Sequence, residues 1–296
     1  MAKTQLMEFV LDDIENQKGV AIPVRASLLE RLIVTSASCK SIHPNPEDEF
    51  SIESVGPSYR IIGEYQAKFR DAMRMGSRPF DEPLMVEKLR PHGYLLLNGH
   101  HRWAAAMRSG IKRVPIKIIN CASESDIKTI LEKSQHDKRA VVDLDEVIFR
   151  SADYKYLEKK AFTFPLSLRF KQRIRLGIPA LFYHLVKCGY DIWVYAADFY
   201  SIDDIQKFFK AYSVHVDGIL TGVEKHTQNK SERAARMKEL INNKYDMTLH
   251  IDNNTILETH GKDKDFAEYE INVPEEEWSK RAIAIIEEIE KRAARK

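Results

Sequence analysis

Apolar and polar positions change their rhythm midway along the chain. In the first third, short apolar runs are separated by polar, proline-containing breaks. "SLLERLIV" (27–34) predicts a buried helix segment or strand, and "HPNPEDEFSIESVGPS" (43–58), with three prolines and several acids, predicts a loop. "GEYQAKFRDAMRMG" (63–76) has helical periodicity ending at a glycine. A strand "PLMVEKL" (83–89), a strand–turn–helix "YLLLNGHHRWAAAMRSG" (94–110) and a strand "VPIKII" (114–119) follow. "ESDIKTILEKS" (124–134) predicts a connecting helix capped by Ser123 or Ser125.

From "AVVDLDEVIF" (140–149) onward, strands alternate with helices. The strand candidates are 140–143, 191–196, 216–220 and 247–252; the helices are 179–189, 201–213 and 230–243, with Ser201 and Asp204 at the spacing of a capping pair. Such alternation predicts a mainly parallel sheet. "PEEEWSKRAIAIIEEIEKRAARK" closes the sequence as an amphipathic helix, acids first and bases last, as the helix dipole favours. The expected organisation is a first domain over 1–122, a connecting helix and linker over 123–137, and a second domain over 138–296.

Composition refines this only modestly. With 44% hydrophobic and 30% charged residues, and no apolar run of about 18 residues, the expectation is a soluble protein without a membrane span. Cys39, Cys121 and Cys188 are far apart and lack CxxC spacing, which argues against a disulfide framework or thiolate zinc site and favours a cytoplasmic setting. Lys+Arg 46 against Asp+Glu 44 neither demands nor excludes nucleic acid. "RFKQRIR" (169–175) carries four bases in seven residues, expected as a solvated helix face; its functional alternative is a basic rim for a phosphorylated or nucleic-acid substrate.

Two junctions carry candidate chemistry. In the first, Asn98-Gly99 separates a strand from a helix that begins with His100, His101 and Arg102. Gly99 permits a tight bend and close approach of a ligand. Unpaired N–H groups and the dipole of the following helix favour an anion. Arg102 can grip phosphate oxygens in a bidentate manner, and the histidines can donate hydrogen bonds. The competing reading keeps both histidines structural and pairs Arg102 with an acid of the "PEDEF" loop. In the second junction, Asp143 and Asp145 end a strand at i and i+2, which would share one face of a continuing strand. Asp252 ends another strand in "TLHIDNN", and a lysine-bearing segment, "GVEKHTQNKSERAARM", lies between. One carboxylate can serve as nucleophile and the other as acid/base, with a divalent cation between their charges.

"HPNPEDEF" followed by "LLLNGHHRWAAAMRSGIKRVPIKII" resembles the ParB/sulfiredoxin superfamily over roughly residues 20–120. The resemblance implies an α+β domain in which Asn98, Gly99, His100, His101 and Arg102 bind a nucleotide such as ATP, ADP or CTP. It also implies that Glu47 matches the catalytic glutamate of the free-serine-kinase branch. His100 stands where sulfiredoxins have cysteine, and Asn98 where the kinase branch has aspartate.

The order of acid pair, strand end, lysine and later acid resembles the haloacid dehalogenase superfamily over roughly residues 138–260. That implies an α/β Rossmann-like domain with a small cap and a bound Mg²⁺. It implies Asp143 as phosphoryl-accepting nucleophile, Asp145 as acid/base, Lys230 (with Lys225 competing) as charge neutraliser, and Asp143, Asp145 and Asp252 as metal ligands. Ala196 and Ala197 stand where that family carries a Ser or Thr donor.

The expected function is a Mg²⁺-dependent phosphohydrolase or phosphotransferase, acting on a phosphorylated small molecule or nucleotide, with a nucleotide-binding domain attached. The alternatives are a small-molecule kinase using Glu47 and a non-catalytic nucleotide-sensing or nucleic-acid-associated adaptor.

Overall fold

The computed structural model describes residues 5–159, 172–222, 232–261 and 266–295, without the side chains of 232–234. Its internal contacts divide the chain into two units after Cys121. Among the described residues no helix is long and apolar enough to cross a membrane.

The first unit runs α1 (Gln5–Gln17), β1 (Ile22–Pro23), α2 (Leu28–Ile33), β2 (Ser36–Ser38), β3 (Ile42–His43), α3 (Tyr59–Arg74), β4 (Leu84–Arg90), β5 (Tyr94–Asn98), α4 (His100–Arg108) and β6 (Arg113–Ile118). Its mixed sheet has the order β2-β6-β4-β5-β3, with β1 on β4. β4 and β5 are antiparallel and β4 and β6 parallel. α3 packs on α4, and the core gathers Leu84, Val86 and Leu96 of the sheet with Trp103 and Ala104–Ala106 of α4. Three successive alanines let α4 approach the sheet closely, and Trp103 fills the space beside them while its Nε1 donates to the Cys39 carbonyl at 3.1 Å. The segment expected as a buried helix or strand over 27–34 is instead the short α2. Its Leu29 and Ile33 are about two-thirds or more exposed, because the helix has no buried residue.

The second unit runs α5 (Glu124–Lys133), β7 (Lys138–Asp143), a π-helical turn (Leu144–Ile148), β8 (Phe149–Arg150), β9 (Arg173–Ile174), α6 (Ile178–Lys187), β10 (Tyr190–Ala196), α7 (Ile202–Ala211), β11 (Gly218–Thr221), α8 (Glu232–Lys244), β12 (Met247–Ile251), β13 (Thr255–His260), β14 (Phe266–Glu270) and α9 (Trp278–Ala293). Ser123 caps α5 in a full capping box with Asp126. Ser201 is the N-cap of α7 but makes no side-chain cap bond, so the expected capping pair does not form there.

The sheet order is β11-β10-β7-β12-β13-β14. The first four strands are mutually parallel, and β13 and β14 extend the sheet antiparallel. β7 and β10 are buried nearly throughout, as expected of central parallel strands covered on both faces. The basic run expected as a solvated helix face begins among residues 160–171, outside the described residues. Its described end is strand β9 followed by Arg175, which is buried against Trp278 with its guanidinium 3.9 Å from the ring centroid. The small cap expected between the first two motifs falls partly on 160–171, outside the described residues; on either side of that stretch β8 and β9 pair as a two-stranded ribbon.

Candidate functional site

Gly99 ends β5 with φ 100° and ψ 26°, the left-handed conformation that turns the chain into α4. A Cβ there would lie 2.7 Å from Leu84 Cδ2 and 3.1 Å from Arg102 Nη2, so the turn requires glycine both for its φ and for the side chains folded over it. The Arg102 guanidinium donates to the Glu82 carbonyl and to Glu82 Oε2, both at 3.2 Å, and to Asn98 Oδ1 at 3.3 Å. It pairs with Glu82, which nothing in the sequence pattern singles out, rather than with an acid of the "PEDEF" loop.

The histidines serve the loop. His100 Nε2 accepts the Asn45 N–H at 3.3 Å, and its Nδ1 lies 3.4 Å from Asp48 Oδ2. His101 Nε2 accepts the Ser58 N–H at 3.0 Å. An acceptor nitrogen is an unprotonated one, so both rings are held neutral. Burial pushes His100 down to about 4, with Asp48 opposing and His101 reinforcing the shift. Burial lowers His101 as well, again against Asp48. Phe50 packs its ring on both imidazoles, with centroids 5.5 and 5.1 Å away. Nε2 of both histidines thus binds the 45–58 loop in place of the donation to phosphate expected of them. Glu47, whose N–H donates to Asn45 Oδ1, rides on that loop.

Beside Arg102 opens a cleft of about 240 Å³. Tyr65, Phe69, Pro79 and Phe80 form its apolar walls, and Lys68, Asp81, Glu82 and Arg102 its charged rim. Phe69 and Phe80 pack with their rings tilted by 33° and centroids 4.6 Å apart, and Lys68 pairs with Asp81 across the rim. Arg102 therefore belongs both to the glycine turn and to an aromatic cleft. The sequence reading missed the cleft, because its walls come from α3 and from the segment before β4.

The second junction is built differently. β7 stops at Asp143, and the chain tightens into the π-helical turn, which Asp143 caps by accepting the Glu146 N–H at 2.8 Å. Asp145 therefore lies in a turn, not on the face of a continuing strand. β12 pairs in parallel with β7, Ile251 opposite Val142, so Asp252 and Asp143 leave adjacent strand ends although they are over a hundred residues apart in sequence. Tyr195 of β10 lies opposite Asp143 on its other side. Asp145 Oδ1 accepts the Tyr200 hydroxyl at 2.7 Å, and Oδ2 accepts the Asp198 N–H at 3.4 Å. Burial lifts the Asp145 carboxyl above the ordinary carboxylate range; the Tyr200 and Asp198 hydrogen bonds oppose the rise, while the charges of Asp198 and Asp143 add to it. Burial and the neighbouring Asp145 likewise push the Tyr200 phenol upward.

Asn253, next to Asp252, accepts Arg150 Nη2 at 2.9 Å and Arg175 Nη1 at 3.0 Å, tying the β8–β9 ribbon to the strand-end loop. Lys225 and Lys230 lie outside the described residues. Among the described residues no group of three or more His, Cys, Asp or Glu side chains is gathered for a metal ion. Asp143, Asp145 and Asp252 thus do not form a three-carboxylate cation site.

Residues 69–135 match the family model of the ParB N-terminal domain, a span that contains the whole glycine turn. The crystal structure of the C-terminally truncated chromosome-partitioning protein ParB from Caulobacter crescentus, complexed with CTP-gamma-S, is similar at 18% identity with a TM-score of 0.23. That similarity covers 33% of this chain and 58% of that chain, so the match spans somewhat over half of that relative. No curated protein matches the chain.

Proposed function

We propose that the chain handles phosphate at two places: a nucleotide-binding turn in the ParB-like region and a haloacid-dehalogenase-like phosphoryl-transfer site in the second unit. The observation that carries the second half is that Asp143 and Asp252 stand at adjacent C-terminal ends of parallel strands. The C-terminal edge of such a sheet is where open α/β folds place their ligands. In this reading an Asp143 oxygen attacks the phosphorus of a phosphomonoester. The bond from phosphorus to the leaving oxygen breaks, and Asp145 gives that oxygen its proton. A carboxyl lifted by burial holds a proton at higher pH than an exposed one, which suits an acid in that role. Water then hydrolyses the aspartyl-phosphate, or an alcohol takes its phosphoryl group.

In the first unit, the cleft supports the nucleotide reading. Its aromatic walls suit a planar base, and Arg102 with the start of α4 suits phosphate. Arg102 must exchange Glu82 for the ligand.

The test is phosphate release from a panel of phosphomonoesters and nucleotides, with and without Mg²⁺, by the wild-type chain and by Asp143→Asn. Release that depends on Asp143 supports the hydrolase. A nucleotide bound through Arg102 with no release above the Asp143→Asn level would favour the second reading, a nucleotide-sensing adaptor. Ala196 and Ala197, where a hydroxyl donor is expected, are what speak for it.

A further inference from the structure

The phosphoryl-transfer reading leaves one physical gap. An attacked phosphoryl group needs preorganised donors for its oxygens, and β10 ends at Ala196, followed by Ala197, neither of which carries one on its side chain. Among the described residues, Thr221 and Tyr200 bring hydroxyls to this edge of the sheet. Thr221, opposite Ala196 at the end of β11, donates to the Tyr200 carbonyl at 2.8 Å, so it fixes the loop that follows β10. The Tyr200 side chain is aimed the other way, its hydroxyl 2.7 Å from Asp145 Oδ1. Its ring meets Phe149 edge-on at 5.7 Å, and Phe149 in turn packs on Phe208 of α7. The phenol is thus anchored at both ends, by its backbone carbonyl through Thr221 and by its ring through Phe149.

We propose that the Tyr200 hydroxyl donates a hydrogen bond to the transferring phosphoryl group and so supplies the contact that Ala196 and Ala197 lack. This rests on the phosphoryl-transfer reading above. To protonate the leaving oxygen, the Asp145 carboxyl must come within about 3 Å of it. That oxygen is bonded to the phosphorus being attacked. A hydroxyl in hydrogen-bond contact with the same carboxyl therefore stands within reach of the non-bridging oxygens. Rotation about the phenolic C–O bond redirects its proton from Asp145 to one of them, with no movement of the backbone. The ring packing means that this donor is already oriented before substrate arrives, which is where such donors gain their advantage over water.

Tyr200 also touches Asp145, so a role through that residue alone must be separated from direct contact. Orthovanadate, a mimic of the transferring phosphoryl group, allows this in a double-mutant cycle with Asp145→Asn and Tyr200→Phe. Phenylalanine keeps the packing on Phe149, and thermal melting checks that each variant is folded. The expected result is that Tyr200→Phe weakens vanadate binding about tenfold or more both in the wild-type background and in Asp145→Asn. It should also lower kcat by on the order of 10², with KM changed much less. Equal vanadate affinity of Asp145→Asn and the double variant would overturn the proposal while leaving an active hydrolase standing. Absence of Asp143-dependent phosphate release and of vanadate binding in the wild type would remove the phosphoryl-transfer reading and Tyr200's role together.

Discussion

The two strand-to-turn junctions begin from similar materials and reach opposite electrostatic states. At Gly99 the polar groups satisfy one another: both histidines accept backbone N–H bonds and Arg102 is held by Glu82. At Asp143 like charges are gathered instead: burial lifts the Asp145 carboxyl, and the charges of Asp198 and Asp143 add to the rise. A closed network of the first kind rigidifies its loop and binds a ligand by exchanging one partner. An edge of like charges costs stability, and groups perturbed in this way cluster at functional sites. The histidines, the most conspicuous residues in the sequence, act as braces that burial keeps neutral, whereas burial of the less conspicuous Asp145 is joined by like charge from Asp143 and Asp198.

The largest expected effect breaks the comparison at its reactive side. Asp143→Asn should lower phosphate release by 10³-fold or more, because an amide neither attacks phosphorus nor replaces the carboxylate charge. The measurement is steady-state release across the substrate panel.

A smaller effect tests the brace. His100 sits near 4 in the folded chain against about 6.5 when unfolded, so the folded state resists protonation. Its contribution is full above about pH 6.5 and is lost as pH falls from there toward about 4, amounting to up to about 3 kcal/mol. Urea unfolding of the wild type and His100→Gln as a function of pH should show this slope in the first and its loss in the second. Gly99→Ala should cost about 1–3 kcal/mol for the left-handed φ alone, with more from the approach to Leu84. Unfolding of the variant would read it directly.

The smallest effects sharpen the idea of partner exchange. Arg102→Ala should weaken nucleotide binding about tenfold or more by removing the charged grip. Glu82→Gln should strengthen it, by no more than about fivefold, since an exposed ion pair is worth about 0.2–1 kcal/mol. Titration of ATP, ADP and CTP against both variants measures the pair. Opposite signs are the expected outcome, and equal weakening would break the exchange model.

Much of the second unit was legible because central parallel strands carry short apolar runs that end abruptly in acids, as β7 does at Asp143 and β12 just before Asp252. The hairpin β13–β14 was not, since "TILETH" and its partner alternate as a half-exposed pair and follow a strand already assigned. The π-helical turn was invisible too: "LDEV" reads as a continuing strand, and only the cap formed by the Asp143 carboxylate ends it. In the first unit the glycine turn announced itself through Asn98-Gly99. The partner of Arg102 did not, because Glu82 is one acid among several in a polar segment 20 residues upstream. Tyr200 likewise lies in a loop whose sequence, "DFYS", carries no pattern; its meaning comes from a contact with Asp145, 55 residues away.

The most direct test of the central claim is a search for phosphate on Asp143. The chain is mixed with a ³²P-labelled substrate that the release panel identifies, quenched in acid, and mapped by proteolysis. The account predicts acid-stable, hydroxylamine-labile label on the peptide containing Asp143, absent from Asp143→Asn. Phosphate release that proceeds undiminished in Asp143→Asn, with no label on that peptide, would contradict it.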